Sequence, residues 1–557
     1  MPTIKFKGKN SIWNHHLSVP YQILEKDKNQ SLKGKNENEN LIIEADNLIA
    51  LKSLLPKYQG KIKCIYIDPP YNTGSERWTY NDKTNSPLIK EWLGKEVNRD
   101  DLTKHDKWLC MMTPRLKLLR ELLNDEGVIF ISIDDNELHH LLMLMDEIFG
   151  EDKHLGTIVW HRKTQPSYLS KDLIKVTEYL VVYKKTDKNI KFKGGYTQEG
   201  KLTELLNISN SYSKRVIKND SVIVAGDYSG ILKAGFYGNN ELKVKLIHDT
   251  EVVDGTPLDD LVVEGRFKWT QNKINTEIDL GGQIFIKTIK TLRPTILKQD
   301  SGSKIKPPIS LLSKYINQMP TNTDANAEMK SIFGSVIFDY PKPSKLIKYI
   351  LDSATYDDKE ALILDSFAGS GTLGQAVLDL NKEDGGNRKF ILIQLLEKTK
   401  KGSFAHKAGF RYVHETTKER VKRVIKKEKL NVGFSYLKLG SAIDADSILS
   451  GTLPTYKEFA KYVYYLTTGD TMDNEKSIDE KSSFVGKNKG ESIYLIYKKD
   501  RDELKNMAIT LDWAETISKK DKGKKIVYAP ACFLDEEYLE KFNIQFVSVP
   551  YSLFEKK

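Results

Sequence analysis

Two short stretches carry residue types from which group-transfer chemistry could be built. The first is Ile67-Asp68-Pro69-Pro70-Tyr71-Asn72, set directly after the apolar run Lys63–Ile67. Two prolines fix the backbone there, so the carbonyl of Pro69 can point into a site. Asp68 adds a carboxylate beside it and Tyr71 a flat ring. Two acceptors and a ring suit a planar base that carries an exocyclic amine. The plain alternative is a Pro-Pro loop with a surface aspartate, and the apolar strand before it weighs against that. The second stretch is Leu364-Asp-Ser-Phe-Ala-Gly-Ser-Gly-Thr372. A strand ends, Gly369 and Gly371 form a tight turn, and a helix begins with its N–H groups free. The ligand of such a turn can be a dinucleotide, a phosphate or the carboxylate of a methionine moiety. Gly369, Gly371 and Gly374 also satisfy the nicotinamide GxGxxG spacing, so spacing alone does not choose. No Lys-Ser/Thr follows in the manner of a P-loop, which argues against ATP.

The elements that must hold these stretches alternate. Glu39–Asp46 reads as a short strand ending in an acidic turn, and Asn47–Leu55 has helical spacing through Leu48, Leu51, Leu54 and Leu55. Lys63–Ile67 is a strand stopped by Pro69-Pro70. Trp108–Leu123 repeats Leu109, Met112, Leu116, Leu119 and Leu123 at helical spacing. The strand Val128–Ile133, a helix over 137–149 and a strand over Glu178–Tyr183 follow. From about Thr186 to Pro320 the segments become short and rich in Gly, Asn and Ser, as in an irregular insert with mixed strands. Alternation then returns with a helix at Ser344–Leu351, strand Ala361–Leu364, helix Leu373–Leu380 and strand Phe390–Ile393. Thr416–Lys429 is a basic helix expected to face solvent. Strands alternating with helices predict a doubly wound, mostly parallel sheet.

The chain has 557 residues, too many for one compact core. Apolar residues at 39% and charged residues at 29% describe a globular chain rather than a disordered one. No apolar run is long enough to span a bilayer, and the N-terminus lacks the apolar centre of a secretory signal, so a cytoplasmic location is expected. Cys64, Cys110 and Cys532 lie far apart and form no CxxC pair, which excludes a disulfide framework and a cysteine-built zinc site. His15-His16 and His139-His140 have no second cluster at ligand spacing, so no metal is assigned. Lys and Arg number 87 against 76 Asp and Glu, a net charge of +11 that favours a polyanionic partner without naming it.

Asp68-Pro-Pro-Tyr71 with Phe367-x-Gly-x-Gly371 resembles the amino-methyltransferases that act on DNA from S-adenosylmethionine. The order of catalytic motif, irregular insert and glycine turn resembles their beta class. Phe6-Lys-Gly-Lys9, Trp13-Asn-His-His16, Asp68–Gly74, Trp108-Leu-Cys-Met-Met-Thr-Pro-Arg-Leu116, Ile131-Ser-Ile-Asp-Asp-Asn-Glu137 and Phe338-Asp-Tyr-Pro-Lys-Pro343 resemble the modification (Mod) subunits of type III restriction–modification systems. The likeness covers residues 1–430 and only weakly the insert.

The resemblance implies a Rossmann-like S-adenosylmethionine-dependent methyltransferase core with an inserted target-recognition domain and a C-terminal α/β domain. The divisions expected are 1–39 as an extension, 40–185 as the catalytic half, 186–334 as the recognition insert, 335–430 as the cofactor half and 431–557 as an interaction or dimerisation domain. Asp68 and the Pro69 carbonyl would accept from the N6 amine of a target adenine, Pro70 would shape the loop and Tyr71 would stack on the base. Phe367, Ala368, Gly369, Gly371 and Thr372 would line the methionine end of the cofactor, with Asp365 the partner of its ammonium. Lys342 and Pro343 would belong to the cofactor wall, and Asp46 would contact the cofactor. Gln394 stands where an acid commonly holds the ribose hydroxyls; either Gln394 or Glu397 could serve. Double-stranded DNA and a second copy of the chain are the expected partners. A restriction (helicase–nuclease) subunit would have to supply any ATP-driven step.

Asp rather than Ser at the first motif position favours adenine N6 over cytosine N4. No Pro-Cys step occurs anywhere, which removes C5-cytosine chemistry. A nicotinamide-dependent oxidoreductase would explain the glycines and leave Asp68–Tyr71 without a role. In the insert, Arg266, Lys268 and Trp269 read equally as contacts to DNA and as a strand end packed on the insert's core. Asp134-Asp135 reads as a cap for the following helix.

Overall fold

A computed structural model describes residues 3–73, 104–165, 173–196, 202–226, 228–239, 241–297, 305–338, 340–442, 454–469, 472, 477–488, 490–500, 503–504 and 506–549. The chain divides into two compact units, Met1–Phe192 with Ile309–Lys557, and Lys193–Pro308.

The larger unit is built on one ten-stranded sheet. In chain order its strands are β1 (Gln22–Lys26), β2 (Leu41–Glu44), β3 (Ile62–Ile67), β4 (Leu123–Ile133), β5 (His154–His161), β6 (Thr177–Lys184), β7 (Leu311–Leu312), β8 (Leu362–Asp365), β9 (Lys389–Gln394) and β10 (Ser435–Ala442). In space the order is β1-β10-β2-β9-β8-β3-β4-β6-β5-β7. The run from β10 to β4 is parallel throughout, while β6 lies antiparallel between β4 and β5. Both faces of the parallel strands are covered, so their sequences are apolar at nearly every position. Side-chain alternation divides them between two cores. Ile65, Ile67, Ile129, Ile131, Leu364 and Ile393 face one core with helices α1 (Asn47–Tyr58), α2 (Lys104–Leu122) and α3 (Leu138–Phe149). Cys64, Tyr66, Val128, Phe130, Ile363 and Leu392 face the other, with α4 (Ser344–Thr355), α5 (Thr372–Asp384) and α6 (Val413–Lys427).

Adjacent strands β8 and β3 are where the winding reverses. From β8 the chain passes through α5 to β9 on one side; from β3 it passes through α2 to β4 on the other. In an open parallel sheet the crevice beyond the carboxyl ends of such strands is the ligand site. Both sequence motifs begin there, Asp68 after β3 and Asp365 as the last residue of β8.

Three expected boundaries move. Residues 309–334 go with the larger unit, not the insert: β7 pairs with β5, and Met319 joins the second core. The N-terminal extension is part of the sheet, because β1 pairs antiparallel with β10. The C-terminal segment also starts inside the main sheet, since β10 lies parallel beside β2. Beyond it a small sheet of Phe484–Asn488, Glu491–Leu495, Lys525–Ala529 and Ile544–Ser548 packs with the helix Tyr456–Thr468. Tyr465 of that helix donates its hydroxyl to the Ser53 carbonyl of α1. Sequence distance hid these pairings, because a strand's partner is set by long-range register rather than by local pattern.

The smaller unit is made of short strands around its own apolar core, which includes Leu205, Val224, Val244, Val263, Trp269, Ile274 and Ile284. Among the described residues no helix is long and apolar enough to cross a membrane.

Candidate active site

The Asp68–Asn72 loop is tied down from behind. Trp108 of α2, itself fully buried, donates its indole N–H to the Pro70 carbonyl at 2.7 Å. Asn72 takes the left-handed conformation (φ 58°), and its amide donates to the Lys104 carbonyl at 3.1 Å and to the Glu137 carboxylate. That leaves the front of the loop for ligands: among the described residues none donates to the Pro69 carbonyl.

In front, a buried ionic cluster surrounds Asp68. The Lys342 ammonium donates to both Asp68 oxygens at 2.8 and 2.7 Å and to the Tyr71 hydroxyl at 2.9 Å. It also lies 3.4 Å from Glu178 Oε2, and the Arg162 guanidinium stands 3.3 Å from Glu178 Oε1. The Tyr71 hydroxyl donates to Asp68 at 2.8 Å, with Glu178 3.2 Å away. Burial pulls the Lys342 pKa down, but the Asp68 and Glu178 carboxylates outweigh it and hold the group above the ordinary lysine value. Lys342 is therefore a fixed cation at the Asp68 carboxylate.

The glycine turn is equally constrained. Gly369 and Gly371 have φ of 50° and 82°, conformations that a side chain rarely adopts. A Cβ on Gly371 would stand 2.8 Å from the Thr417 carbonyl oxygen of α6. Gln394 Oε1 accepts from the Gly369 N–H at 2.7 Å, so this side chain shapes the turn. Arg420, fully buried, donates to Ser370 and Thr372 at 2.9 and 2.7 Å and to Gln375 at 2.8 Å, with Glu328 as its counter-ion at 3.1 Å. The basic helix is thus not a solvent face throughout: Arg420, Val421, Val424 and Ile425 pack inward because the helix is amphipathic. The Thr372 hydroxyl also donates to the Lys342 carbonyl at 3.3 Å, and Pro343 is the N-cap residue of α4.

Asp365 differs from Asp68. It is 3% exposed and accepts the Phe367 N–H at 2.9 Å, yet among the described residues no cation pairs with it. Burial pushes its carboxyl up to about 8, with the nearby Asp68 charge acting in the same direction against that N–H. A buried acid without a cation, beside a glycine cradle and the free N–H groups that begin α5, fits the ammonium and carboxylate of S-adenosylmethionine. That molecule supplies an electrophilic sulfonium methyl when bound.

With these two loops side by side, the chain can be set among known proteins. A family model described as DNA methylase, of the N6/N4 methyltransferase type, matches residues 62–405. The chain belongs to the DNA methylase family. It is 32% identical over 448 residues to the Mod subunit of the type III restriction–modification enzyme StyLTI of Salmonella typhimurium, covering 77% of this chain and 63% of that one. To the EcoP15I Mod subunit of Escherichia coli it is 30% identical over 497 residues, covering 81% and 73%. To the type II methyltransferase M.KpnI of Klebsiella pneumoniae it is 30% identical over 406 residues, covering 72% and 90%. The chain therefore spans less than two thirds of the length of the Salmonella subunit.

The remaining residues singled out from sequence fall in three places. Asp46 caps α1 by accepting the Leu48 N–H at 2.8 Å, and Asn47 beside it donates to the Ser366 carbonyl at 2.9 Å, joining α1 to the glycine turn. Arg115 fixes that junction, donating to Asn47 at 2.6 Å with Asp46 3.5 Å away. Asp134 accepts the Asn136 N–H in a local turn before α3, and Asp135 accepts the Tyr179 hydroxyl at 2.7 Å, so neither side chain caps the helix. In the smaller unit Trp269 lies in the core and Arg266 donates to the Ile208 carbonyl, leaving Lys268 as the exposed member of that patch. Gly74 lies outside the described residues. Glu178 and Arg162 were not found from sequence. The available signal was an acid inside the otherwise apolar and aromatic strand Thr177–Lys184.

Proposed function

We propose that this methylase transfers a methyl group from S-adenosylmethionine to N6 of an adenine flipped out of duplex DNA. The observation that carries the reading is the placement of Asp68 and the glycine turn at the carboxyl ends of adjacent strands β3 and β8, at the reversal of the winding. An aromatic amine is a weak nucleophile because its lone pair is delocalised into the ring. Hydrogen bonds from the amine to Asp68 and the Pro69 carbonyl favour a tetrahedral nitrogen and so strengthen as attack begins. Lys342 holds both Asp68 oxygens in place as acceptors. The two loops place amine and methyl donor within reach, which removes most of the entropic cost of bringing them together. Flipping costs a few kcal/mol, and the Tyr71 ring offers a stacking face against that cost.

In this reading the Lys193–Pro308 unit reads the target sequence, with exposed Lys268 as its first candidate and Arg266 beside it. The Mod-subunit relatives support a place in a type III-like system, with a restriction (helicase–nuclease) partner and a second copy of the chain. The test is incubation with duplex DNA and methyl-labelled S-adenosylmethionine, followed by digestion to nucleosides. Label in N6-methyl-2′-deoxyadenosine is expected. Label in N4-methylcytosine overturns the base assignment, and absence of labelled nucleoside, with and without a restriction partner, overturns the activity.

A further inference from the structure

Three side chains far apart in sequence converge behind the catalytic loop. Glu137, at the turn into α3, has a side chain with no solvent exposure. Its Oε1 lies 2.7 Å from His105 Nδ1 of α2 and its Oε2 lies 2.8 Å from His140 Nδ1 of α3. The ligating atoms of all three residues stand within 4.8 Å of one another. Glu137 and His140 share a face through their i, i+3 spacing, and α2 brings His105 in from the other side. The two imidazoles remain 34% and 23% exposed, so they form the open side of the cluster.

Charge makes this more than a tidy hydrogen-bond set. An enclosed carboxylate is strongly unfavourable without a cation, and among the described residues Glu137 has no Lys or Arg within ion-pair distance. Both histidines turn Nδ1 inward, leaving Nε2 on the outer side of each ring. Two imidazoles and one carboxylate are a donor set for zinc and other first-row divalent ions, with solvent completing the coordination. The Asn72 amide donates to the same carboxylate, as an outer partner that orients a metal ligand does.

We propose that His105, Glu137 and His140 bind one divalent transition-metal ion, zinc foremost, which clamps α2, α3 and the exit of the Asp68–Tyr71 loop together. In sequence His139-His140 has no second cluster at ligand spacing; the fold supplies one to His140 from His105 and Glu137. The site is independent of the methyl-transfer reading, because its readout is metal content.

The experiment uses the full chain without a polyhistidine tag, stripped with chelator and titrated with Co²⁺ under absorption spectroscopy, then with Zn²⁺ in competition. One equivalent of bound Co²⁺ with visible d–d bands, displaced by Zn²⁺, is expected. His105→Ala/His140→Ala should weaken binding at least tenfold, while His139→Ala should keep it. Zinc should also raise the Tm of the wild-type chain and leave that of the double variant unmoved. Should the double variant not fold, His140→Asn alone serves the same comparison. A stripped wild-type chain that takes up no equivalent overturns the proposal. So does an equivalent retained unchanged by the histidine variants.

Discussion

Two carboxyl groups stand at the ends of neighbouring parallel strands and have opposite fates. Asp68 is 27% exposed and holds the Lys342 ammonium on both oxygens. Asp365 is more deeply buried and has no cation among the described residues, so its carboxyl is raised to about 8. The same residue type is therefore gripped by an ammonium in one loop and left as a buried acid with a raised pKa in the other. Depth of burial and the presence of a fixed counter-ion separate the two. One acid is ready for a neutral amine, and the other stands ready for a ligand that brings its own positive charge.

That contrast breaks most sharply at Asp68. Asp68→Ala should lower methyl transfer by about 10²–10³-fold, as loss of one transition-state hydrogen-bonding group does, while cofactor binding survives. Wild-type turnover in this variant would remove Asp68 from the mechanism.

At Asp365 the effect should appear in binding and carry a pH signature. Only the carboxylate form pairs with an ammonium, so cofactor affinity measured by calorimetry should rise toward pH 8 and level off above it. Below pH 8 the slope should approach about tenfold per pH unit, since each unit cuts the ionised fraction tenfold. Asp365→Asn should flatten the profile. In the ligand-free protein the sign is the reverse: a raised acid holds its proton in the folded state, so its contribution to stability fades as pH rises from about 4 to about 8.

A smaller effect is expected at Glu178. Glu178→Gln removes one of the two carboxylates that hold Lys342 and should lower kcat about tenfold, in the range of a lost hydrogen bond to a charged group. Cofactor affinity should stay unchanged, because among the described residues the side-chain partners of Glu178 are Lys342, Arg162 and Tyr71 and none belongs to the glycine turn. An equal loss at both ends would mean that the loops are one electrostatic unit rather than two.

The smallest effect lies outside both loops. His15 and His16 are lowered to about 4, each chiefly by burial and then by nearby Arg115 for the first and Lys117 and Lys52 for the second. They stay neutral in the folded chain while the unfolded chain protonates near 6.5, so stability should fall as pH drops from 6.5 toward 4. His15→Gln/His16→Gln should blunt that fall in Tm; an unchanged pH dependence would assign the acid sensitivity elsewhere.

Much of this was legible in the chain alone. Apolar runs broken by Pro69-Pro70 and by Gly369–Gly371 fix strand ends locally, because proline and left-handed glycine act on their own neighbours whatever the fold. The helices at Trp108–Leu123 and Leu373–Leu380 were equally readable from their spacing. Trp269 was ambiguous for a physical reason: a basic-aromatic string looks the same on a DNA-facing edge and at a strand end whose ring turns into the core. Glu178 and Arg420 were hidden because a charged residue in a periodic segment reads as its exposed side, and only packing shows the side chain turned inward to a partner.

What the sequence determined by itself, then, is the chemistry of the two loops and the alternation of elements that carries them. These are properties of short stretches, set by backbone restriction and periodicity. The tertiary structure decided which charges meet. It put Lys342 on Asp68 across 274 residues, left Asp365 without a cation among the described residues, and gathered His105, Glu137 and His140 around one enclosed carboxylate. Electrostatic energy depends on distance and on exclusion of water, and neither exists until strands from distant parts of the chain lie side by side.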